Sequence, residues 1–413
     1  MRMNKLRVLV GSPIHQKPQI LAEFLESLQE LTQNTINIDF LFIDDNESVE
    51  SRRILLDFTN ETGKVTILPS DSIDPYLCND ATHHWNEQLI WKVAQFKNAI
   101  IQSAIEHDYD YLFLIDSDLV LHPKTIEHLI TKEKDIVSTI FWTKWFPDFS
   151  KLPQVWLDDQ YTLFERRRGE QLTQQEIDAR SRQFLLMLSE IGTYEVGGLG
   201  ACTLISRRAM SLGVNFNEIK NVSFHGEDRH FCIRAIAIGL TLFVDTHFPA
   251  YHIYRMEDIH GIREYKNLHE EREQKSVEFN IRTVLRLGME GLGAYDYRTG
   301  YLIDFQKYFS EAMNEGIQAL EQQEQGKNEN DRLTTNAAIS NCVIKSLDLE
   351  SRVTVVRYML SQKGMRDGWS FQEEFSCEAV LIERGGRGWV IDGFQVLEEK
   401  KAQPAVGRTQ TLH

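Results

Sequence analysis

Short apolar runs and helix-period stripes alternate through the first third of the chain, the pattern of a parallel sheet covered by helices. The run Leu6-Arg7-Val8-Leu9-Val10 predicts a strand that stops at Gly11-Ser12-Pro13. Ile20, Leu21, Phe24, Leu25 and Leu28 then fall on one face of a helix over 18–30. A second strand is expected over 38–43, ended by Asp44-Asp45-Asn46, a third at 65–68, and a helix over 87–106. Tyr111-Leu112-Phe113-Leu114-Ile115 is apolar enough for a central strand buried on both faces. Strands at 136–141, 201–206 and 242–244 and a helix at 230–238 continue the alternation. A polar, helix-prone insertion occupies 171–190, and Val196-Gly197-Gly198-Leu199-Gly200 is too glycine-rich for a regular element.

The pattern changes after about residue 268. Charged helical segments lead to a polar stretch at 321–330 that reads as a linker, and over 334–397 the period becomes two. Strands are expected at 353–358 and 369–382, with a hairpin turn at Gly385-Gly386-Arg387-Gly388. The expected organisation is an α/β domain with a mixed, mostly parallel sheet over 1–265 and a helical connector over 266–330. A small antiparallel α+β domain over 331–400 and a loose tail over 401–413 follow.

A length of 413 residues asks for two or three folding units, and 42% hydrophobic with 26% charged residues is ordinary for a globular chain. Acidic residues outnumber basic ones, 61 to 45, for a formal charge of −16. That balance argues against a nucleic-acid partner, which needs a basic surface. It leaves room for a small phosphate compound held by a cation. Residues 1–10 lack the apolar length and small-residue cleavage site of a signal peptide, and no run approaches the roughly 18 apolar residues of a membrane span. Cys78, Cys202, Cys232, Cys342 and Cys377 are scattered, without CxxC spacing, as buried free thiols in a reducing compartment would be. A cytoplasmic location is expected.

Three segments carry candidate chemistry. Asp116-Ser117-Asp118 follows the buried run 111–115 directly. Ligands of parallel sheets bind beyond the carboxyl ends of strands. Two carboxylates there can hold Mn²⁺ or Mg²⁺, which take oxygen ligands and neutralise diphosphate. Taken alone, a DxD is more often a solvated loop. Glu227-Asp228 opens an amphipathic helix, where carboxylates favour the positive helix end. Asp228 can also take a proton from an attacking hydroxyl. His247 and His252 follow a short strand, and the neutral ring of either can ligate a metal.

In this order the segments resemble the family 2 type of GT-A glycosyltransferases, over about residues 6–252. The resemblance implies that Pro13, at the opening turn, borders the nucleotide pocket and that Asp44 or Asp45 reads the base. It implies Asp118 as a metal ligand, Asp116 facing ribose and metal, and Glu227-Asp228 as the ED pair with Asp228 the base. His252 matches the closing metal ligand, with His247 its competitor, and the glycine segment 196–202 matches an acceptor-side loop. Similar segments occur in mannosyltransferases of the Anp1 type, some of which retain anomeric configuration. Two departures stand out. Lys97-Asn98 replaces the arginine-asparagine pair before the DxD strand, which leaves Lys97 as the expected phosphate contact. The QxxRW motif of processive synthases is absent after His252.

The C-terminal stretch weakly resembles NTF2-like domains, through 353–358, Gly368-Trp369-Ser370-Phe371 and 388–394; Trp369 and Trp389 are expected in its core. Phe141, Trp142, Trp145 and Phe146 suit either acceptor stacking or packing. The expected function is therefore metal-dependent transfer of a hexose, with inversion, from a nucleotide-diphosphate sugar to a carbohydrate, lipid-linked or protein acceptor. Homodimerisation through the C-terminal domain is the further expectation. A sugar-phosphate nucleotidyltransferase and a non-catalytic carbohydrate-binding scaffold are the alternatives.

Overall fold

The computed structural model describes residues 5–60, 63–70, 87–145, 150–223, 226–384 and 388–400. The turn expected at 385–388, apart from Gly388, and the tail expected at 401–413 lie outside them, as do Phe146 and Cys78. The chain divides into two compact units, Met1–Glu273 and Gln274–His413.

The first unit is built on an eight-stranded sheet. Its order runs Thr193–Val196, Leu242–Asp245, Ile136–Thr139, Thr203–Ser206, Tyr111–Leu114, Leu6–Ile14, Ile36–Asp44, Val65–Pro69. Four of the seven pairings are parallel. Thr203–Ser206 inserts antiparallel between Tyr111–Leu114 and Ile136–Thr139, and Thr193–Val196 closes one edge antiparallel. The fold class is thus the expected mixed, mostly parallel α/β sheet. Central strands are continuous apolar runs because both faces are covered: Val8, Val10, Phe40, Phe42, Phe113 and Val137 pack on one side, and Leu9, Leu41, Leu112 and Ile136 on the other.

The helix expected at 18–30 is Pro18–Gln29, with Pro at its start, and it buries Ile20, Leu21, Phe24, Leu25 and Leu28. The glycine-rich segment does hold a strand. Gly198–Leu199 pairs antiparallel with Val155–Trp156, and a Cβ on Gly198 would lie 2.0 Å from the Trp156 ring. Glycine is needed there for close approach rather than for flexibility.

In the second unit, the strands Thr334–Asp348, Val353–Arg366, Trp369–Arg384 and Gly388–Lys400 form an antiparallel sheet completed by two short strands at 295–296 and 300–301. Residues 266–330 are not a separate connector. Ile281, Leu285, Met289, Phe305, Phe309 and Ile317 share one core with Val356, Tyr358, Leu381 and Ile391. The stretch 321–330, read as a linker, is the second half of the helix Glu311–Asn330. Asp367 and Gly368, both at positive φ, make the two-residue turn between paired Arg366 and Trp369. Trp389 is core as expected, whereas Trp369 is 52% exposed: it flanks that turn at the open end of the sheet. Among the described residues no helix is long and apolar enough to cross a membrane, and the four cysteines are free thiols.

Candidate functional site

The carboxyl ends of the first unit's strands open into a cavity of about 560 Å³. Pro13, Asp45, Asp116, Asp118, Glu227, Asp228 and His252 all line it. Residues up to 239 positions apart (13 to 252) therefore converge on one cleft.

Asp116, Ser117 and Asp118 turn off the end of Tyr111–Leu114, and the two-residue strand Leu119–Val120 follows. That strand pairs antiparallel with Tyr251–His252, and the Ile253 N–H donates to the Asp118 carbonyl at 2.8 Å. This small ladder delivers the imidazole: His252 Nε2 lies 3.3 Å from Asp118 Oδ2. Thr143 Oγ1 sits 2.8 Å from His252 Nδ1 and accepts from Gln154 Nε2 at 2.8 Å. An Nδ1 proton directed at Thr143 leaves the Nε2 lone pair facing Asp118, the support a metal-ligating histidine needs. Carboxylate oxygens with one imidazole suit a Mn²⁺-type cation.

His247 stands in a different cluster. His128, Asp245 and His247 bring three potential ligand atoms within 4.8 Å of one another. Asp245 accepts from Thr193 Oγ1 at 2.7 Å and from the His247 N–H at 3.0 Å, and it lies 3.0–3.1 Å from both rings. Burial opposes its charge, yet the hydrogen bonds from His128 and His247 hold the carboxyl far below its ordinary range. A carboxylate satisfied by that many donors is accounted for as a hydrogen-bonded hub at the end of Leu242–Asp245.

Glu227 and Asp228 occupy the first turn of Glu227–Ala237, so the helix dipole favours their charge. Gly226 precedes them with φ 149° and ψ 159°. Behind them lies Lys97, from Glu87–Glu106. Its Nζ is 2.9 Å from Glu227 Oε1, 3.1 Å from Asp228 Oδ1 and 3.9 Å from Asp116 Oδ1. Burial works against its charge, but Asp228, Glu227 and Asp116 together hold the ammonium well above its ordinary range. Asp228 is pushed up to about 7, chiefly by burial, with Glu227 and Asp116 adding to the shift and Lys97 opposing it. Asp116 keeps 47% of its side chain open. It nonetheless sits in a cleft walled by protein, and this desolvation, with Asp118 and Glu227, raises its carboxyl against the pull of Lys97.

Of the two candidates for base recognition, Asp45 lines the cavity. Asp44 instead holds the turn, accepting from the Asn46 N–H and Nδ2 at 3.1 and 2.7 Å. Asp45 reaches the cleft already partnered by Lys92, 2.8 Å away and buried. Burial raises its carboxyl, but His15, Lys92 and Ser70 outweigh that and hold it below the ordinary range. Lys92, Thr143, Gln154 and Tyr161 escaped sequence reasoning. Tyr161 lines the cavity near Asp228, and burial with the Asp228 and Glu227 charges drives its phenol upward, so it stays neutral.

The family model described as Anp1 matches residues 1–156, under half of the chain, in agreement with the resemblance read from the motifs. That span contains Asp116 and Asp118 but ends before Asp228 and His252. No curated protein sequence matches. Among solved structures the chain is similar to S. aureus TarS 1–349 in complex with UDP-GlcNAc, at 13% identity, over 60% of this chain and 58% of that one, with a TM-score of 0.37. It is also similar to the mannosyltransferase PcManGT from Pyrobaculum calidifontis in complex with GDP-Man and Mn²⁺, at 11% identity, over 67% and 65% of the two chains, with a TM-score of 0.36. The chain spans less than two thirds of either. An IcmL-like type IV secretion system protein from Legionella pneumophila aligns with 32% of this chain and 94% of its own, at 10% identity and a TM-score of 0.24. Likeness at these levels assigns no activity.

Proposed function

We propose that the protein is a metal-dependent glycosyltransferase that moves a hexose from a nucleotide-diphosphate sugar to an acceptor hydroxyl with inversion. The observation that carries this reading is the convergence of Asp116, Asp118 and His252 with Glu227 and Asp228 around one cavity. Asp118 and His252, with Asp116, would hold Mn²⁺ or Mg²⁺; bound there, the cation neutralises the leaving diphosphate. Asp228 takes the proton of the attacking hydroxyl, a role suited to a carboxyl raised to about 7. Pro13 and Asp45 face the nucleoside, with Lys92 fixing the Asp45 carboxylate for it. Trp145, Tyr254, Trp156 and Tyr161 give the acceptor apolar ring faces to lie against.

A nucleotidyltransferase would want a cationic phosphate loop after the first strand. Here the strand runs unbroken through residues 11–14. The acceptor class (carbohydrate, lipid-linked or protein), a cytoplasmic site of action and dimerisation through the C-terminal unit belong to the same proposal. Val396 and Leu397, exposed on the strand Gly388–Lys400, support the last. Hydrolysis of UDP- and GDP-sugars with and without Mn²⁺ tests the central reading. Slow, Mn²⁺-dependent hydrolysis that disappears in Asp118→Ala is expected; release of pyrophosphate from a sugar phosphate and NTP, or silence toward every donor, sinks it.

A further inference from the structure

We infer that Lys97 is a positioning residue, which holds the proposed base Asp228 and its neighbour Glu227 in place relative to Asp116, and is not a ligand of the donor phosphates. The inference rests on the transferase reading above and reverses the role that the motif resemblance implies for this position.

The geometry points this way for three reasons. First, the ammonium already donates two hydrogen bonds, to carboxylate oxygens at 2.9 and 3.1 Å, and forms a longer ion pair with a third at 3.9 Å. Second, the side chain is only 4% exposed: it lines not the large cavity but a small pocket that shares Pro13, Asp116, Ala201 and Asp228 with it. Its Nζ lies 5.1 Å over the Phe216 ring, which covers one side of it. Third, its partners come from two separate elements. Asp116 follows Tyr111–Leu114, whereas Glu227 and Asp228 open Glu227–Ala237, and the lysine on Glu87–Glu106 ties the two together.

Electrostatics makes the tie necessary. Asp116, Asp118, Glu227 and Asp228 bring four acids to one cleft, and their mutual repulsion favours splaying the helix start away from the strand end. A cation placed between them reverses that tendency at the point where orientation of Asp228 matters. Displacement of a reacting group by about 1 Å is enough to cost on the order of 100-fold in rate.

The two roles separate in kinetics. A phosphate ligand contributes to donor binding, so its loss raises the donor Kd and KM. A positioning residue acts on the chemical step, so its loss lowers kcat. Calorimetry with UDP and GDP, each with Mn²⁺, and transfer or hydrolysis rates would be measured on wild type, Lys97→Met and Lys97→Arg, after circular dichroism confirms folding. Lys97→Met is expected to bind the nucleotide within about threefold of wild type while kcat falls roughly 100-fold or more. Lys97→Arg, which restores a cation with a longer reach, should recover part of that loss. An active wild type whose Lys97→Met variant keeps its kcat, or weakens nucleotide binding tenfold at unchanged kcat, overturns this role alone. A wild type that neither binds nor turns over any nucleotide overturns the transferase reading and this role with it. Should Lys97→Met not fold, Lys97→Arg and Lys97→Gln carry the same comparison.

Discussion

Gly226 is the narrowest point in the backbone that aims Asp228. With φ at 149° and ψ at 159° it occupies a region essentially open to glycine only, immediately before the helix whose first turn carries Glu227 and Asp228. In Gly226→Ala the new Cβ would lie 2.9 Å from the Tyr161 hydroxyl. Holding an L residue there costs on the order of 1–3 kcal/mol. For a unit of this size that corresponds to a melting temperature lowered by roughly 2–12 °C, at about 2–4 °C per kcal/mol. The chain can relieve the strain by rotating the 226–227 peptide, which would swing the Asp228 carboxylate away from Lys97 and cost on the order of 100-fold in turnover. The double variant Gly226→Ala/Tyr161→Phe removes the hydroxyl contact but not the φ penalty. It should regain only the smaller part of both losses. Differential scanning calorimetry and donor turnover on the three proteins read this out. A Gly226→Ala protein that melts within 1 °C of wild type and turns over normally would show that the helix start tolerates an ordinary side chain, and the argument for a rigidly aimed Asp228 would fail.

Two further outcomes depend on protonation. As the proposed base, Asp228 with its carboxyl raised to about 7 would act only above that value, so kcat/KM at saturating Mn²⁺ should climb through pH 7 and level off above it; a rate that is flat between pH 5.5 and 8 counts against Asp228 as the base. Burial keeps His128 neutral in the fold down to about pH 4, against 6.5 for a free imidazole. The unfolded chain therefore binds a proton that the fold refuses, and stability drains as pH falls from 6.5 toward 4, by up to about 3 kcal/mol from this residue. Because Asp228 and Asp116 pull in the opposite sense over the same range, the test is a difference: the His128→Gln variant should be less stable at pH 7 but lose less on acidification than wild type, as read by urea unfolding at pH 7, 5.5 and 4.5. Parallel slopes for the two proteins would refute the assignment.

What could be read from the chain, and what could not, divides along sequence distance. Asp116-Ser117-Asp118 was legible because a buried run such as 111–115 must end at the sheet's rim, where two acids need a reason to be. Glu227-Asp228 was legible as a helix start for the local reason that carboxylates suit the first turn. Between His247 and His252 the motif resemblance named the second, but the local pattern gave no reason for it. In the fold Tyr251 and His252 pair with Leu119 and Val120, which sets His252 beside Asp118, and a two-residue ladder leaves no periodicity to find. The order of strands was hidden for a related reason: nothing local tells Thr203–Ser206 to insert antiparallel between two strands that precede it in the chain. Lys97 is the sharpest case. Its position in the helix was legible, whereas the acids around its ammonium were not, because two of them arrive 130 and 131 residues later. The phosphate contact expected for Lys97 came from the motif resemblance alone, which says nothing of the second pair of acids beside it. Long-range packing sets which partners a buried charge meets, and beside this ammonium it places the Phe216 ring and three carboxylates.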